Sequence, residues 1–348
     1  RATMYHPGAG GGPGLRAAFS SPFDLPNDTA YSETCAAIAL AFFARRMLEA
    51  HPKAEYADVM ERAMYNTVLA GMALDGQSFF YVNPLEADPA ACRADKRLEH
   101  VQPVRQKWFG CACCPPNIAR IVSSAGAYAF TSNPSTLWVH LYMGSESSCK
   151  LGGVEARLIL ESGFPWQGKA KMTVHLPRPA RFTLAFRLPG WCGTPQVEAP
   201  AGMGRTDRDG YAYFTGLWQD GDAVSLTFPM EVQLHRASPE VKEDIGQVAV
   251  TRGPLTYCME QADNGPQLHL CRLDPAAIGQ AVVKEVSIGG RTMAMLELPG
   301  FREEWPGTGG ALYAPYAPPA LRPATLRLVP YYAWANRGEG EMRVWLQV

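Results

Sequence analysis

Three thiols fall within four positions in the run Cys111-Ala112-Cys113-Cys114-Pro115-Pro116-Asn117, and a further one, Cys35, follows Glu33 in Tyr31-Ser32-Glu33-Thr34-Cys35. A carboxylate, a lone thiolate and an adjacent thiolate pair form a donor set that can close a four-coordinate zinc site. Zinc takes sulfur and carboxylate oxygen readily and usually sits tetrahedrally. The other reading is that Cys113 and Cys114 are ordinary buried thiols, free cysteine being among the most buried residue types. The two readings separate on whether Glu33, Cys35, Cys113 and Cys114 meet in space. The seven histidines are scattered with no His-x-x-x-His spacing, which speaks against a His-based zinc site within this chain.

The elements that must position these donors are helices. Cys35 to Ala50 has no Gly or Pro, many strong helix formers, and Arg45 and Arg46 near its end. A second helix is expected from Ala54 to Ala70, with Tyr56, Val59, Met60, Ala63, Met64 and Val68 on one face and Gly71 as a stop. His51-Pro52 between them makes a short break and an antiparallel pair. A third helix is expected from Pro115 or Pro116 to about Tyr128, because proline is tolerated in a first turn. The thiol cluster then sits at a helix N-terminus, where amide groups and the helix dipole favour anionic sulfur and lower a cysteine pKa.

From Thr136 the period changes to two. Leu137–Tyr142, Met172–Leu176, Phe182–Leu188 and Ala223–Phe228 alternate between Gly-, Pro- and Asp-rich turns, and the pattern resumes at 247–250, 325–329 and 342–346. Regular short strands with turn signals predict β-sandwiches or barrels, here enough chain for two sandwiches. Gly300 to Pro323 reads as the longest loop.

The chain has 348 residues, is 47% hydrophobic and carries a formal charge of −1. That size supports two to three domains and a large core. Near-neutral charge offers no footprint for nucleic acid, and no apolar run is long enough for a membrane helix. The opening Arg1-Ala2-Thr3-Met4 lacks an initiator Met and a signal peptide, so the later part of a longer protein is expected. Nine cysteines, three of them clustered, fit reduced thiols plus a metal better than a disulfide framework and favour a cytoplasmic location. Gly8-Ala9-Gly10-Gly11-Gly12 lacks the Lys-Ser/Thr of a phosphate loop. Asn27-Asp28-Thr29 matches a glycosylation triplet of a kind common by chance. Trp166 and Trp191 fit core packing better than sugar stacking.

Taken together, the motifs resemble glycoside hydrolase family 127, the β-L-arabinofuranosidase family. The resemblance rests on the stretch Asp24 to Cys35, on Phe79-Phe80-Tyr81-Val82-Asn83-Pro84-Leu85-Glu86 and on the Cys111 to Asn117 run. It continues in Leu188-Pro189-Gly190-Trp191, Thr251-Arg252-Gly253-Pro254-Leu255 and the stretch Pro330 to Gly338. It implies an α + β multidomain chain: the C-terminal part of an (α/α)6 barrel followed by two β-sandwich domains. The barrel part would span 1–128, the first sandwich 129–235 with 340–348 returning as a strand, and the second 236–339. It further implies a retaining glycosidase for plant-type glycans with a zinc-bound cysteine nucleophile. Glu33, Cys35, Cys113 and Cys114 would bind zinc, Cys113 would attack the anomeric carbon, and Tyr81 would line the substrate pocket. Zinc would keep the thiol deprotonated at neutral pH. A carbohydrate substrate and a homodimer follow from the same resemblance, with no nucleic-acid or membrane partner.

One position departs from the family pattern. A retaining glycosidase needs an acid/base group, and the resemblance puts that Glu sixteen residues before Glu33, where this chain has Ala17 after Arg16; no Asp or Glu precedes Asp24. Three readings stay open. The acid comes from elsewhere, such as Asp24, Asp28 or a part of the barrel outside this chain. The substrate differs, with Arg16 binding an acidic sugar. Or the chain is a catalytically impaired carbohydrate-binding or structural relative that keeps the zinc site.

Overall fold

The computed structural model describes residues 3–12, 18–304 and 312–348. Helix α1 (Thr34–Ala50) buries Ala37, Ile38, Ala41, Ala44 and Leu48, the three- and four-residue spacing of one face. His51 adopts an extended backbone and ends it, and α2 (Ala54–Arg62) then packs Ala57 and Met60 into the same core. The short helix α3 (Pro89–Ala94) is capped by Asp88, and α4 (Cys114–Ser123) adds Ile118 and Ile121 to the α1–α2 core.

Two helices differ from expectation. The chain after α2 does not continue as a regular helix to Ala70 but widens into a π-helical stretch, Ala63–Val68. Asn66 supplies the reason. Its Nδ2 donates to Arg62 O at 2.8 Å and to Pro254 O at 3.0 Å, while its Oδ1 accepts from Thr256 N at 2.7 Å. The wider turn lets one side chain serve its own helix and a distant strand turn together. Helix α4 stops at Ser123 and gives way to a 3-10 turn, Ala125–Tyr128. The hydroxyls of Ser123 and Ser124 both donate to Arg120 O, competing with the helical amides. Residues 4–10 form a small hairpin, Met4–Tyr5 with Ala9–Gly10.

The strand region begins with two five-stranded sheets. One carries Ser145–Leu151, Val154–Ser162, Lys169–His175, Ala223–Thr227 and Gln196–Glu198; the other carries Phe130–Asn133, Thr136–Val139, Ala180–Arg187, Tyr211–Trp218 and Gly204–Arg208. Alternate residues of both, among them Leu158, Val174, Leu184, Phe214 and Leu226, fill one shared core.

A ten-stranded sheet follows. Within it Gln247–Arg252 pairs with both Leu255–Glu260 and Trp345–Gln347, and onward pairings through Cys271–Leu273, Arg291–Glu304 and Ala320–Pro330 close a ring of six strands. Tyr257, Leu296, Leu298, Leu328 and Leu346 fill its interior.

The pairing corrects the expected ends of the domains. Trp345–Gln347 and Val232–His235 both pair with Gln247–Arg252, so 340–348 and 232–235 belong to this sheet and not to the first layered pair. Leu346 packs inside the ring with Val250, Tyr257 and Leu328. Only the two ends of the expected loop from Gly300 to Pro323 are strand, with Phe301 opposite Pro323 and Glu304 opposite Ala320; 312–319 form no strand, and 305–311 lie outside the described residues.

Buried charges join the parts. Arg187, fully enclosed, pairs with Asp58 at 2.6 Å and with Glu61, whose other oxygen accepts from Trp191 Nε1 at 2.8 Å. Trp166 and Trp191 both pack against the cores, the structural role expected of them. Asn27 donates to buried Asp244 at 2.8 Å and is itself 7% exposed, so its glycosylation triplet is inaccessible.

Candidate functional site

The four donors predicted from the sequence come together. One ligand atom from each of Glu33, Cys35, Cys113 and Cys114 lies within 4.8 Å of the other three. Two helix starts present them. Glu33 occupies the cap position of α1 without capping it, which leaves its carboxylate directed at Cys113 Sγ, 3.4 Å away. Cys35 lies in the first turn of α1. Cys113 occupies the cap position of α4, also without a side-chain capping bond, and Cys114 opens the helix with Pro115 and Pro116 behind, the first-turn location where proline costs no hydrogen bond. The sulfurs of Cys35 and Cys114 are 3.5 Å apart and those of Cys113 and Cys114 3.8 Å, far beyond a disulfide bond. Cys111, the other thiol of the run, is exposed and stands outside this cluster.

A backbone clamp holds the carboxylate side. Thr34 N donates to Tyr81 O at 3.0 Å, and Asn83 Nδ2 donates to Ser32 O at 2.9 Å and to Thr34 Oγ1 at 3.0 Å. Ser32 has φ of 32°, an uncommon conformation for a residue with a side chain, and it is buried immediately before Glu33. The Asn83 bonds hold that strain in place. Gly71 lets α1 and the end of the second helix approach this closely: a Cβ there would lie 2.5 Å from Thr34 Cγ2. Arg105 braces the strand behind, donating to Ala70 O, Trp334 O and Tyr332 O with its guanidinium over the Phe80 ring.

Cys113 Sγ donates to Tyr81 OH at 3.4 Å, and an aromatic wall of Tyr31, His100, Phe79 and Phe109 surrounds the tyrosine. The contact with Cys113, followed by burial and the charge of Glu33, raises the Tyr81 pKa far above the ordinary phenol range, so the phenol remains a donor.

The expected lowering of thiol pKa at the helix start is not found at Cys113 or Cys114 in the protein alone. Burial pushes Cys113 up to about 12, the contact with Tyr81 OH opposes the rise, and the neighbouring Cys35 adds to it. Burial and Cys35 raise Cys114 further. Burial in first place, with the closely held sulfurs adding to it, disfavours the thiolates. A cation reverses the balance. Three sulfurs and one oxygen are a donor set that suits zinc, so these residues fit the metal.

Two polar contacts escaped sequence reasoning. Asn117 Nδ2 donates to Cys35 Sγ at 3.2 Å, and Asn83 makes the clamp described above. Both asparagines lie inside the quoted motifs, and Asn117 stands one helical turn from Cys113 and Cys114, the only signal available. Arg16 and Ala17 lie outside the described residues, so the departure at the acid/base position is a fact of sequence. Among the described residues, no helix is long and apolar enough to cross a membrane.

Comparison with known proteins agrees along the whole chain. Residues 1–127 match the β-L-arabinofuranosidase GH127 catalytic domain, 136–230 the GH127 middle domain, and 232–347 the glycoside hydrolase family 127 C-terminal domain. A non-reducing end β-L-arabinofuranosidase from Bifidobacterium longum subsp. longum is 41% identical over 98% of this chain and 53% of its own length. The crystal structure of a GH127 β-L-arabinofuranosidase from Geobacillus stearothermophilus T6 superposes with a TM-score of 0.94 at 43% identity, over 99% of this chain and 54% of that one. A second structure, described as a glycoside hydrolase, gives 0.89 at 33% identity, over 99% of this chain and 59% of that one. This chain thus spans little more than half the length of the relatives it matches. Its mixed, sheet-rich α + β fold is that of these structures, and the chain belongs to glycoside hydrolase family 127.

Proposed function

We propose that this chain carries the metal and nucleophile part of a retaining glycosidase that acts on β-L-arabinofuranosides or a related pentofuranoside of plant-type glycans. The observation that carries this reading is the convergence of Glu33, Cys35, Cys113 and Cys114 within 4.8 Å, with Tyr81 OH on Cys113. Glu33, Cys35, Cys113 and Cys114 would hold zinc, which supplies the positive charge that keeps the sulfurs deprotonated at neutral pH. Cys113 is the nucleophile. Of the three sulfurs, Cys114 is fully enclosed, whereas Cys113 is half-buried and faces the Tyr81 side chain. Its sulfur forms a bond to the anomeric carbon as the glycosidic C–O bond breaks, and water then displaces the sulfur. Tyr81 orients the thiolate and lines the sugar pocket.

The domain division proposed with it has residues 1–128 as the C-terminal part of an (α/α)6 barrel, the paired five-stranded sheets as the first β-sandwich, and the ten-stranded sheet as the second. A homodimer and a reducing, cytoplasmic setting fit the family and the nine unpaired thiols.

Ala17 favours a second reading, a catalytically impaired relative that binds glycans. Loss of acid/base help costs about 10²–10⁴-fold. The test is intact mass spectrometry after incubation with a nitrophenyl β-L-arabinofuranoside, whose leaving group departs without acid help. A pentosyl adduct on Cys113 that persists supports the thiolate nucleophile with weak deglycosylation. An unmodified protein with no nitrophenol released favours the binding relative.

A further inference from the structure

The three sulfurs of the site have unequal surroundings. Cys114 is enclosed, with the sulfurs of Cys35 and Cys113 beside it. Cys113 has Tyr81 OH and the Glu33 carboxylate as neighbours on its more open side. Cys35 takes the only amide hydrogen bond given to a site sulfur by a side chain among the described residues, from Asn117 Nδ2 at 3.2 Å. Asn117 belongs to α4 and Cys35 to α1, so this bond ties the two helix starts together through a sulfur.

Three thiolates and a carboxylate place four negative charges around one divalent cation. Donated N–H and O–H bonds must offset the excess, and a sulfur that receives a fixed N–H loses both charge density and rotamer freedom. The nucleophile must be free to leave the metal while the other sulfurs stay. We propose that Asn117 is a positioning residue that locks Cys35 as the anchoring thiolate of the metal centre and leaves Cys113 as the exchangeable one. This rests on the metal and nucleophile reading above.

The experiment compares the protein with its Asn117→Ala and Asn117→Asp variants. Zinc affinity is measured against a competing chelator, and iodoacetamide alkylation of the zinc-loaded protein is mapped cysteine by cysteine. Asn117→Asp keeps the volume, loses the donor and adds charge beside the sulfur. Asn117→Ala is expected to weaken zinc by about 10–100-fold, and Asn117→Asp by at least as much. Cys35 alkylation should rise about tenfold or more in both variants, with Cys113 the faster-labelled site in the parent. Should either variant fail to fold, Asn117→Gln, which keeps the donor one methylene further out, is expected to show a smaller loss in the same direction.

Unchanged affinity and unchanged Cys35 protection overturn the proposal. So does an Asn117→Asp variant that binds like the parent while Asn117→Ala does not, since volume alone then matters. A parent protein that takes up no zinc sinks the metal reading itself, a failure visible before any variant is compared.

Discussion

Protons decide how the four donors load. Burial holds the Cys113 thiol up at about 12 and lifts Cys114 further, so both carry protons at pH 7 in the protein alone. Each must lose its proton to bind a metal, and metal binding therefore releases protons and weakens as pH falls. Calorimetric titration of zinc in buffers of different ionisation enthalpy is expected to report about two or more protons released per ion at pH 7, with affinity falling roughly 100-fold per unit of acidification. A release near zero would mean that neither thiol coordinates. Tyr81 acts on the same sulfur from the other side. Its phenol stays protonated 3.4 Å from Cys113 Sγ, placed to donate to that sulfur once it is a thiolate. A hydrogen bond to a charged group contributes about 1.5–3 kcal/mol. Tyr81→Phe should therefore lower kcat on a nitrophenyl arabinofuranoside by about 10–100-fold and leave zinc content unchanged. Loss of zinc in that variant would show that the phenol maintains the metal site.

Among the elements, α2 carries the charges that fasten the helical part to the strands. Burial alone would lower the Arg187 pKa, but Glu61 and Asp58 overcome it and raise the guanidinium further. Removing one partner of a buried ion pair strands the other charges and costs about 3–5 kcal/mol. Arg187→Ala should lose that much in chemical denaturation, because among the described residues Glu61 then keeps only Trp191 Nε1 as a hydrogen-bond donor. A loss below about 1 kcal/mol would mean that water reaches both carboxylates. Element types were legible where periodicity is strong. Helix α1 and the strands around Val174, Leu184 and Leu226 follow their apolar spacing closely. The π-helical turn at Ala63–Val68 was not legible, because it answers to Pro254 and Thr256, contacts about 190 residues away that leave no local trace. The four metal donors could be found because adjacent thiols are rare and chemically specific. Asn117 and Asn83 could not be ranked, because an amide looks alike in sequence whether it faces water or a thiolate.

Across the whole molecule, parts distant in sequence meet through single polar pairs, and one of them is poised to titrate. Asn27, in the turn before α1, donates to Asp244, which precedes the strand Gln247–Arg252. Asp244 is 5% exposed, and burial raises its pKa from 3.8 to about 6, with the charge of Glu243 adding to the rise and the Asn27 bond opposing it. The folded state therefore holds this proton more tightly than the unfolded chain. Its contribution to stability is complete below about pH 4 and is lost as pH rises through 6. Two pKa units amount to at most about 3 kcal/mol by neutral pH. Asp244→Asn removes the buried charge and keeps an oxygen for Asn27 Nδ2. Its new amide can also donate to Asn27 Oδ1, which is enclosed and has no partner among the described residues. The variant is expected to be more stable than the parent by about 1–3 kcal/mol at pH 7.5, with the gap closing toward pH 4. Urea denaturation at the two pH values measures it. A gap of equal size at both would show that Asp244 does not titrate between them, and that any gain comes from the added hydrogen bond alone.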